Sequence, residues 1–90
     1  MEVRYHIRYL EIVLKKHIPA LPPSVTTFIQ KAIEERLMVD PIGLGKPLRY
    51  SLKGHRRLRA GNYRIVYRID AKTSTVTIIA IKHRKNIYEG

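Results

Sequence analysis

The chain contains no cysteine, and none of its apolar runs approaches the ~20 residues that a membrane-spanning helix needs. The absence of cysteine excludes a disulfide framework and thiolate chemistry, and it fits the reducing cytoplasm, where we expect the protein to act. The charged N-terminus does not match a signal peptide, and we expect no membrane partner. At 90 residues, the chain predicts a single domain over residues 1–90 with a modest core.

Acidic side chains are also few, since 7 Asp and Glu stand against 18 Lys and Arg and the formal net charge is +11. With 4 histidines and scattered carboxylates, the sequence predicts neither a metal site nor a cofactor. Residues 46–69 contain eight basic residues and no acidic one. A one-sided basic field of this kind favours a polyanion as partner, RNA or DNA first. Solubility alone, or an acidic protein partner, would also account for it.

The spacing of apolar residues predicts an α+β fold with the order β-α-α-β-β-β. The predicted elements are a strand over residues 3–9, helices over 10–18 and 25–37, a short strand over 48–52, two strands flanking residues 61–62, and a last strand over 75–81. The helices need an apolar face to pack on, and the sheet offers one. We therefore expect an antiparallel sheet with both helices on one face.

The stretch from His55 to Arg68 predicts a hairpin with two different faces. The Gly61-Asn62 pair suits a two-residue turn because both residues tolerate positive φ. Such a turn pairs Ala60 with Tyr63, Arg59 with Arg64, Arg57 with Val66, and His55 with Arg68. One face then carries His55, Arg57, Arg59, Arg64, Val66 and Arg68. The other carries Leu58, Ala60, Tyr63, Ile65, Tyr67 and Ile69, with Arg56 at the frayed end.

The basic face of this hairpin suits the phosphate of RNA, because a guanidinium group binds phosphate oxygens in a fork. Like charges in opposite positions cost about 0.2–1 kcal/mol per pair, so we infer that they are kept for an anion. RNA cleavage without a metal also needs a base for the ribose 2′-OH and an acid for the departing 5′ oxygen. The end of the last strand offers such groups, although strand parity leaves open whether His83 or Arg84 faces the arginines.

Two sets of candidates follow from this chemistry. The catalytic candidates are Arg57, Arg64, His83, Arg84 and Tyr88. The RNA-binding candidates are Lys53, His55, Arg56, Arg59, Arg68, Lys82 and Lys85. The residues alone support a basic RNA-binding domain more firmly than a nuclease.

Several short runs, spread over essentially the whole chain, form a more specific combination. They are Gly45-Lys46-Pro47-Leu48, Leu52-Lys53-Gly54, Arg57-Leu58-Arg59, the run from Gly61 to Ile69, Ile79-Ala80-Ile81, and His83-Arg84 followed by Ile87-Tyr88. The pattern Gly-x-Tyr-Arg-x-x-Tyr, followed near the C-terminus by His-Arg-x-x-x-Tyr, resembles the RelE/ParE superfamily of bacterial and archaeal type II toxins.

The resemblance implies a compact fold like that of microbial RNases and a toxin that cuts mRNA in the ribosomal A site. The reaction needs no metal and proceeds by 2′-OH attack to a cyclic phosphate. By position, Arg57 and Arg64 match the family's basic strand residues, His83 or Arg84 the C-terminal acid or base, and Tyr88 the tyrosine near the C-terminus. Because a guanidinium is a poor proton acceptor, the arginines here shift the proton chemistry toward His83. Lys53 matches less securely.

The resemblance also implies partners: the ribosome, its mRNA, and a cognate antitoxin encoded nearby that forms a hetero-oligomer with the toxin. Two alternatives stay open. A ParE-like toxin shares the fold but inhibits DNA gyrase, and a non-catalytic module would bind RNA without cutting it.

Overall fold

A computed structural model describes residues 4–48 and 54–86 and contains a five-stranded sheet in the order β1-β5-β4-β3-β2. The strands are β1 (His6–Tyr9), β2 (Lys46–Pro47), β3 (Arg56–Ala60), β4 (Tyr63–Asp70) and β5 (Thr75–His83). The helical elements are a π-helical segment (Val13–His17), α1 (Pro23–Ala32), a second π-helical segment (Ile33–Leu37), α2 (Pro41–Leu44) and a 3₁₀ turn (Arg84–Asn86). The α+β class is confirmed.

Proline and aspartate place the helix starts. Pro23 begins α1 and Pro41 begins α2, at the first helical position, where a missing N–H costs nothing. Asp40 caps α2 by accepting a hydrogen bond from the Gly43 N–H at 2.9 Å. The second predicted helix ends at Leu37, as expected, but α2 lies where the glycines predicted only loop.

The prediction of a wholly antiparallel sheet is wrong at one edge. β1 runs parallel to β5, with His6 opposite Thr75 and Tyr9 opposite Ile78, whereas the other neighbouring strands are antiparallel. Parallel strands require a long crossover, and the helices that follow β1 provide part of one. A short strand, β2, occupies Lys46–Pro47, whereas residues 49–52 of the predicted short strand lie outside the described part of the chain.

The hairpin has the predicted register. Ala60 pairs with Tyr63, Arg59 with Arg64 and Arg57 with Val66, and Gly61 takes a positive φ of 62° in the turn. The helix-covered face of the hairpin carries Leu58, Ala60, Tyr63, Ile65 and Tyr67, which are buried or half-buried. The opposite face, called here the open face, carries Arg57, Arg59, Arg64, Val66 and Arg68.

The core lies between the helices and the helix-covered face of the sheet. Its buried members are Val13, Ile29, Ala32, Ile33, Leu37, Leu58, Ala60, Ile65, Tyr67, Val76, Ile78 and Ile81. No helix in the described ranges is long and apolar enough to cross a membrane. The basic side chains of the open face lie on the far side of the sheet from this core.

Candidate nucleic-acid interface

Short polar contacts fix α2 against the sheet and shape one wall of the site. The buried Tyr67 hydroxyl donates to the Pro41 carbonyl oxygen at 2.6 Å, and burial raises the pKa of this phenol, which keeps it protonated. A Cβ at Gly45 would collide with the Tyr67 hydroxyl, so only glycine allows this close approach. Leu44 and Lys46 are thereby placed at the edge of the hairpin.

Arg56, predicted to bind RNA, does not lie on the open face. It pairs with Tyr67 and therefore lies on the helix-covered side. Its Nη2 donates to the carbonyl oxygens of Ile42 at 2.6 Å and Gly45 at 3.0 Å. The guanidinium therefore binds α2 and the residue that follows it, because the strand alternation turns it away from its arginine neighbours.

A groove of about 290 Å³ runs along the edge of the hairpin. Its charged lining consists of Arg36, Lys46, Arg57, Arg59 and Arg64, and Leu44 and Leu58 complete it. Lys46 lies directly opposite Arg57, and Arg59 directly opposite Arg64. Among the described residues, no carboxylate lines the groove, and none of them neutralises these cations. Such a site stabilises an anion with several negatively charged oxygens.

Sequence reasoning missed two of these cations. Arg36 belongs to the second π-helical segment, in a predicted helix that carried no candidate site residue, and its Nη1 donates to the Arg59 carbonyl oxygen at 3.3 Å. It thereby reaches β3 beyond the end of the short strand β2. Lys46 stood in a run already singled out for its resemblance, and pairing of β2 with β3 could have revealed it.

The C-terminal candidates separate onto different sides of the sheet. His83 pairs with Tyr63 on the helix-covered side, and the two rings meet edge to face with their centres 5.1 Å apart. Arg84 instead lines a smaller concavity of about 130 Å³ with Arg59 and Arg64. Its backbone N–H donates to the Asn62 carbonyl oxygen at 2.8 Å, which fixes it beside the hairpin turn. The structure thus brings Arg84, not His83, to the arginines.

Comparison with known proteins identifies this arrangement. The sequence profile of the family described as "ParE toxin of type II toxin-antitoxin system, parDE" matches residues 13–88. The chain belongs to the RelE/ParE superfamily of type II toxins. Toxin RelG of Mycobacterium tuberculosis is 36% identical over 74 residues, which cover 82% of this toxin and 85% of RelG. Toxin RelE of the same organism is 33% identical over 84 residues, or 93% of this toxin and 86% of that one.

Solved structures agree with this assignment. The toxin chain in the RelBE2 toxin-antitoxin complex of Mycobacterium tuberculosis superposes with a TM-score of 0.83 at 33% identity, covering 93% of this toxin and 95% of that chain. The isolated RelE toxin of E. coli gives a TM-score of 0.68 at 26% identity, with coverage of 88% and 83%. The archaeal RelE–RelB complex of Pyrococcus horikoshii, at 20% identity, a TM-score of 0.74 and coverage of 92% and 98%, shares the fold.

The remaining predicted residues of the toxin lie at various distances from the groove. Lys82 pairs with Arg64 on the open face, and Arg68 pairs with Thr77 farther along the same face. His55 precedes β3, where its carbonyl oxygen accepts from the Leu48 N–H, and Lys85 is exposed in the 3₁₀ turn. Lys53 and Tyr88 lie outside the described residues. Within those residues, no group of three or more His, Asp or Glu side chains suits a metal ion.

His17 lies at the same end of the sheet as the hairpin turn, at the edge of β5. Its Nδ1 accepts the Ile81 N–H at 3.2 Å, on the strand β5 beyond the last residue paired with β1. Burial, and to a smaller extent the Lys82 cation, lower the pKa of His17 from its ordinary value of 6.5. Lys16, Tyr63 and His83 line the same pocket, and protonation of Nδ1 would break the bond to Ile81.

We expect the toxin to be less stable in mild acid, because protonation of His17 breaks its hydrogen bond to the Ile81 N–H. The folded-state pKa of His17 is lowered, so the unfolded chain binds the proton more readily, and the contribution is complete above about pH 6.5 and lost as the pH falls through the folded-state pKa. His17→Asn keeps an acceptor near the Ile81 N–H but cannot titrate. The fall in Tm between about pH 7.5 and pH 5.5 should be smaller in this variant than in the wild type. Parallel Tm curves would contradict the assignment.

Proposed function

We propose that this toxin is an endoribonuclease that cuts mRNA on the ribosome without a metal ion. The observation that carries the proposal is the groove along the hairpin with its five cationic side chains, continued by Arg84 beyond the turn. In the proposed step, a general base takes the proton of the ribose 2′-OH and the 2′ oxygen attacks the adjacent phosphorus. The bond to the 5′ oxygen breaks as that oxygen takes a proton from a general acid or from water. The products are a 2′,3′-cyclic phosphate and a 5′-hydroxyl end, and negative charge builds on the phosphate oxygens during the attack.

The proposed roles follow from position. Arg57 and Arg64 bind the phosphate from two neighbouring strands, and Arg84 approaches it from the C-terminal side. Lys53 and Tyr88 join the proposal through the family resemblance alone. A guanidinium does not accept a proton, which leaves the base to another group. Among the cations that line the groove, Lys46 has an ammonium, which releases its proton more readily than a guanidinium, and we propose it as a candidate base.

A cognate antitoxin is the second part of the proposal. The structural relatives from Mycobacterium tuberculosis and Pyrococcus horikoshii are complexes of a RelE-type toxin with a RelB antitoxin. We propose that this toxin likewise forms a hetero-oligomer with a small antitoxin encoded nearby. The net charge of +11 favours an acidic partner segment, and the open face offers it a complementary surface. Co-expression of a neighbouring small acidic reading frame, followed by co-purification, tests this partner.

The decisive experiment follows mRNA in a translation extract to which the folded toxin, free of antitoxin, has been added. We expect cuts within ribosome-bound mRNA, and fragments that carry 5′-hydroxyl and cyclic phosphate ends. The same mRNA without ribosomes should stay intact. Uncut mRNA on actively translating ribosomes would contradict the nuclease proposal.

Inhibition of DNA gyrase is the alternative function to test, because the matching family profile is named after the ParE toxin. A supercoiling assay with purified gyrase separates the two. The nuclease proposal predicts normal supercoiling at toxin concentrations that cut mRNA. A non-catalytic RNA-binding module would instead bind RNA in a salt-sensitive manner and leave it uncut under all conditions.

A further inference from the structure

A second basic cavity lies at the C-terminal end of β5, at the edge of the sheet where β5 extends beyond its last residue paired with β1. This β5-end pocket has a volume of about 380 Å³ and lies between the first π-helical segment and strands β4 and β5. Its lining residues include Lys16, His17, Tyr63, Lys82 and His83, and the others are Ala20, Leu21 and Ile81. Two lysines and two histidines line the pocket, with Lys82 approaching it from the open face, and no carboxylate of the described residues lines it.

Both histidines of the pocket are held in the same tautomer. His17 Nδ1 accepts the Ile81 N–H at 3.2 Å, and His83 Nδ1 accepts the Lys85 N–H at 3.2 Å. A nitrogen that accepts a hydrogen bond carries no proton, so each neutral ring carries its proton on Nε2. The pocket residues therefore supply two imidazole N–H donors in addition to two ammonium groups. A protonated Nε2 is not a metal ligand, and this set of donors instead suits the oxygens of a phosphate group.

A chain of shared residues connects this pocket with the groove on the open face. The concavity beside the hairpin turn shares Arg59 and Arg64 with the groove. The same concavity shares Tyr63 with the β5-end pocket. Three adjacent depressions thus follow the end of the sheet from Lys46 to Lys16. Such a path suits a flexible single-stranded nucleic acid, which carries one negative charge per nucleotide, rather than a single small anion.

We propose that the β5-end pocket is a second RNA-binding site, which takes a backbone phosphate of the strand that continues beyond the groove. Lys16 and Lys82 neutralise the phosphate, and the two Nε2–H groups donate to its oxygens. Tyr63 lies between the concavity and the pocket, where a ring can contact a base by stacking. The proposal deepens the proposed function, and it rests on that function for the identification of the bound nucleic acid as RNA. It also gives His83 a role in binding, on the side of the sheet opposite the reaction.

The chain offers a matched pair of lysines for the test. Lys16 lines the pocket, whereas Lys15 is its neighbour in sequence and forms an ion pair with Glu11 at 2.5 Å. Both are exposed, and replacement of either by alanine removes one positive charge. Any difference between the two variants therefore reports the position of the charge and not its number.

The experiment measures the affinity of the isolated toxin for a single-stranded RNA of 2′-O-methyl nucleotides, which binds but cannot react. We expect Lys16→Ala to lower the slope of log affinity against log salt by about 0.7, the value for one lost phosphate contact on a single strand. Lys15→Ala should leave the slope unchanged. Equal slopes for the two variants would overturn the proposal. Because this assay is independent of cleavage, a toxin that binds in this way but leaves mRNA uncut refutes the nuclease and not the pocket.

NMR signals of the imidazole rings locate the bound strand. We expect the RNA to shift the ring signals of His17 and His83 but not those of His6, which is exposed on β1 opposite the first residue of β5. Inorganic phosphate and polyglutamate serve as the other arms. If either one shifts these signals as strongly as RNA at equal concentration of charged groups, the site is a free-phosphate or acidic-protein site and the RNA assignment fails.

Discussion

Replacement of Arg64 by alanine is expected to slow cleavage of ribosome-bound mRNA by about 100-fold or more, because removal of one pre-positioned donor to a transition-state anion typically has this effect. Arg64 lies on the open face between Arg59 of β3 and Lys82 of β5. It lines both the groove and the concavity that contains Arg84. No other residue of the described hairpin combines a half-buried position with contact to both depressions and a cationic neighbour on each side.

The same variant should not weaken the fold. Arg64 has like charges on both neighbouring strands, and such pairs destabilise a sheet by about 0.2–1 kcal/mol each. Removal of the central charge relieves both, so we expect an unchanged or higher midpoint of unfolding in urea alongside the loss of activity. A residue that costs stability and supports activity is typical of a functional site. A variant that lost activity and stability together would indicate a structural role instead.

Arg68→Ala is the matched control for Arg64→Ala. Arg68 lies on the same strand and the same face, but it pairs with Thr77 and lines neither the groove nor the concavity. The change in net charge is identical, and we expect less than about a threefold loss of rate, since only distant, screened charge is removed. Arg64→Lys should fall between the two, because it keeps the charge and loses the fork that matches a phosphate. Equal losses for Arg64→Ala and Arg68→Ala would mean that overall charge, and no specific contact, governs the reaction.

The hairpin could be predicted from the sequence because every determinant of it is local. A Gly-Asn turn fixes the pairing of the residues on either side, and strict alternation then assigns each side chain to a face. Arg57, Arg59 and Arg64 were therefore placed correctly on one face before any tertiary information was used. The apolar faces of the two helices could also be predicted, from the spacing of their apolar residues, and they pack against the apolar side of the hairpin.

The walls of the site depend on contacts between distant parts of the chain, and these were not predictable. Lys46 reaches the groove because a two-residue strand pairs with β3, and Arg36 reaches it from a helical segment through the carbonyl oxygen of Arg59. Neither contact produces a repeating pattern of residue types that the sequence would show. The parallel pairing of β1 with β5 is likewise a property of the crossover and not of β1, whose alternating pattern fits either direction.

A bulge explains why the C-terminal residues could not be assigned to a face. Val66 pairs with Ala80, but its neighbour Tyr67 pairs with Ile78, so that Ile79 is an extra residue on β5. Uninterrupted alternation from the buried Val76 and Ile78 would place Lys82 on the helix-covered side and His83 on the open face. The extra residue reverses this parity for the rest of the strand. One inserted residue therefore places Lys82 on the open face and His83 on the helix-covered side.

This reversal leads to the second large effect that we expect, which falls on Arg84 and not on His83. Arg84→Ala should lower the single-turnover rate of mRNA cleavage, at saturating toxin, by about 10- to 100-fold, since it removes a cation beside Arg59 and Arg64. His83→Gln should change that rate by less than about threefold, because the His83 ring lies against Tyr63 on the opposite side of the sheet. Any loss of RNA affinity caused by His83→Gln should lower the cleavage rate only at subsaturating toxin.

The pH profile of the reaction distinguishes these two roles without relying on the size of either effect. A histidine that transfers a proton in the rate-limiting step gives the wild type a bend in log rate near its pKa, and His83→Gln would abolish that bend. A histidine that only binds RNA leaves the shape of the saturated profile unchanged in the variant. Retention of the wild-type profile in His83→Gln, together with a uniformly lower profile in Arg84→Ala, is therefore the result that the bulge in β5 predicts. A profile flattened by His83→Gln and restored by added imidazole would place the proton chemistry on His83 and require the end of β5 to rearrange on the ribosome.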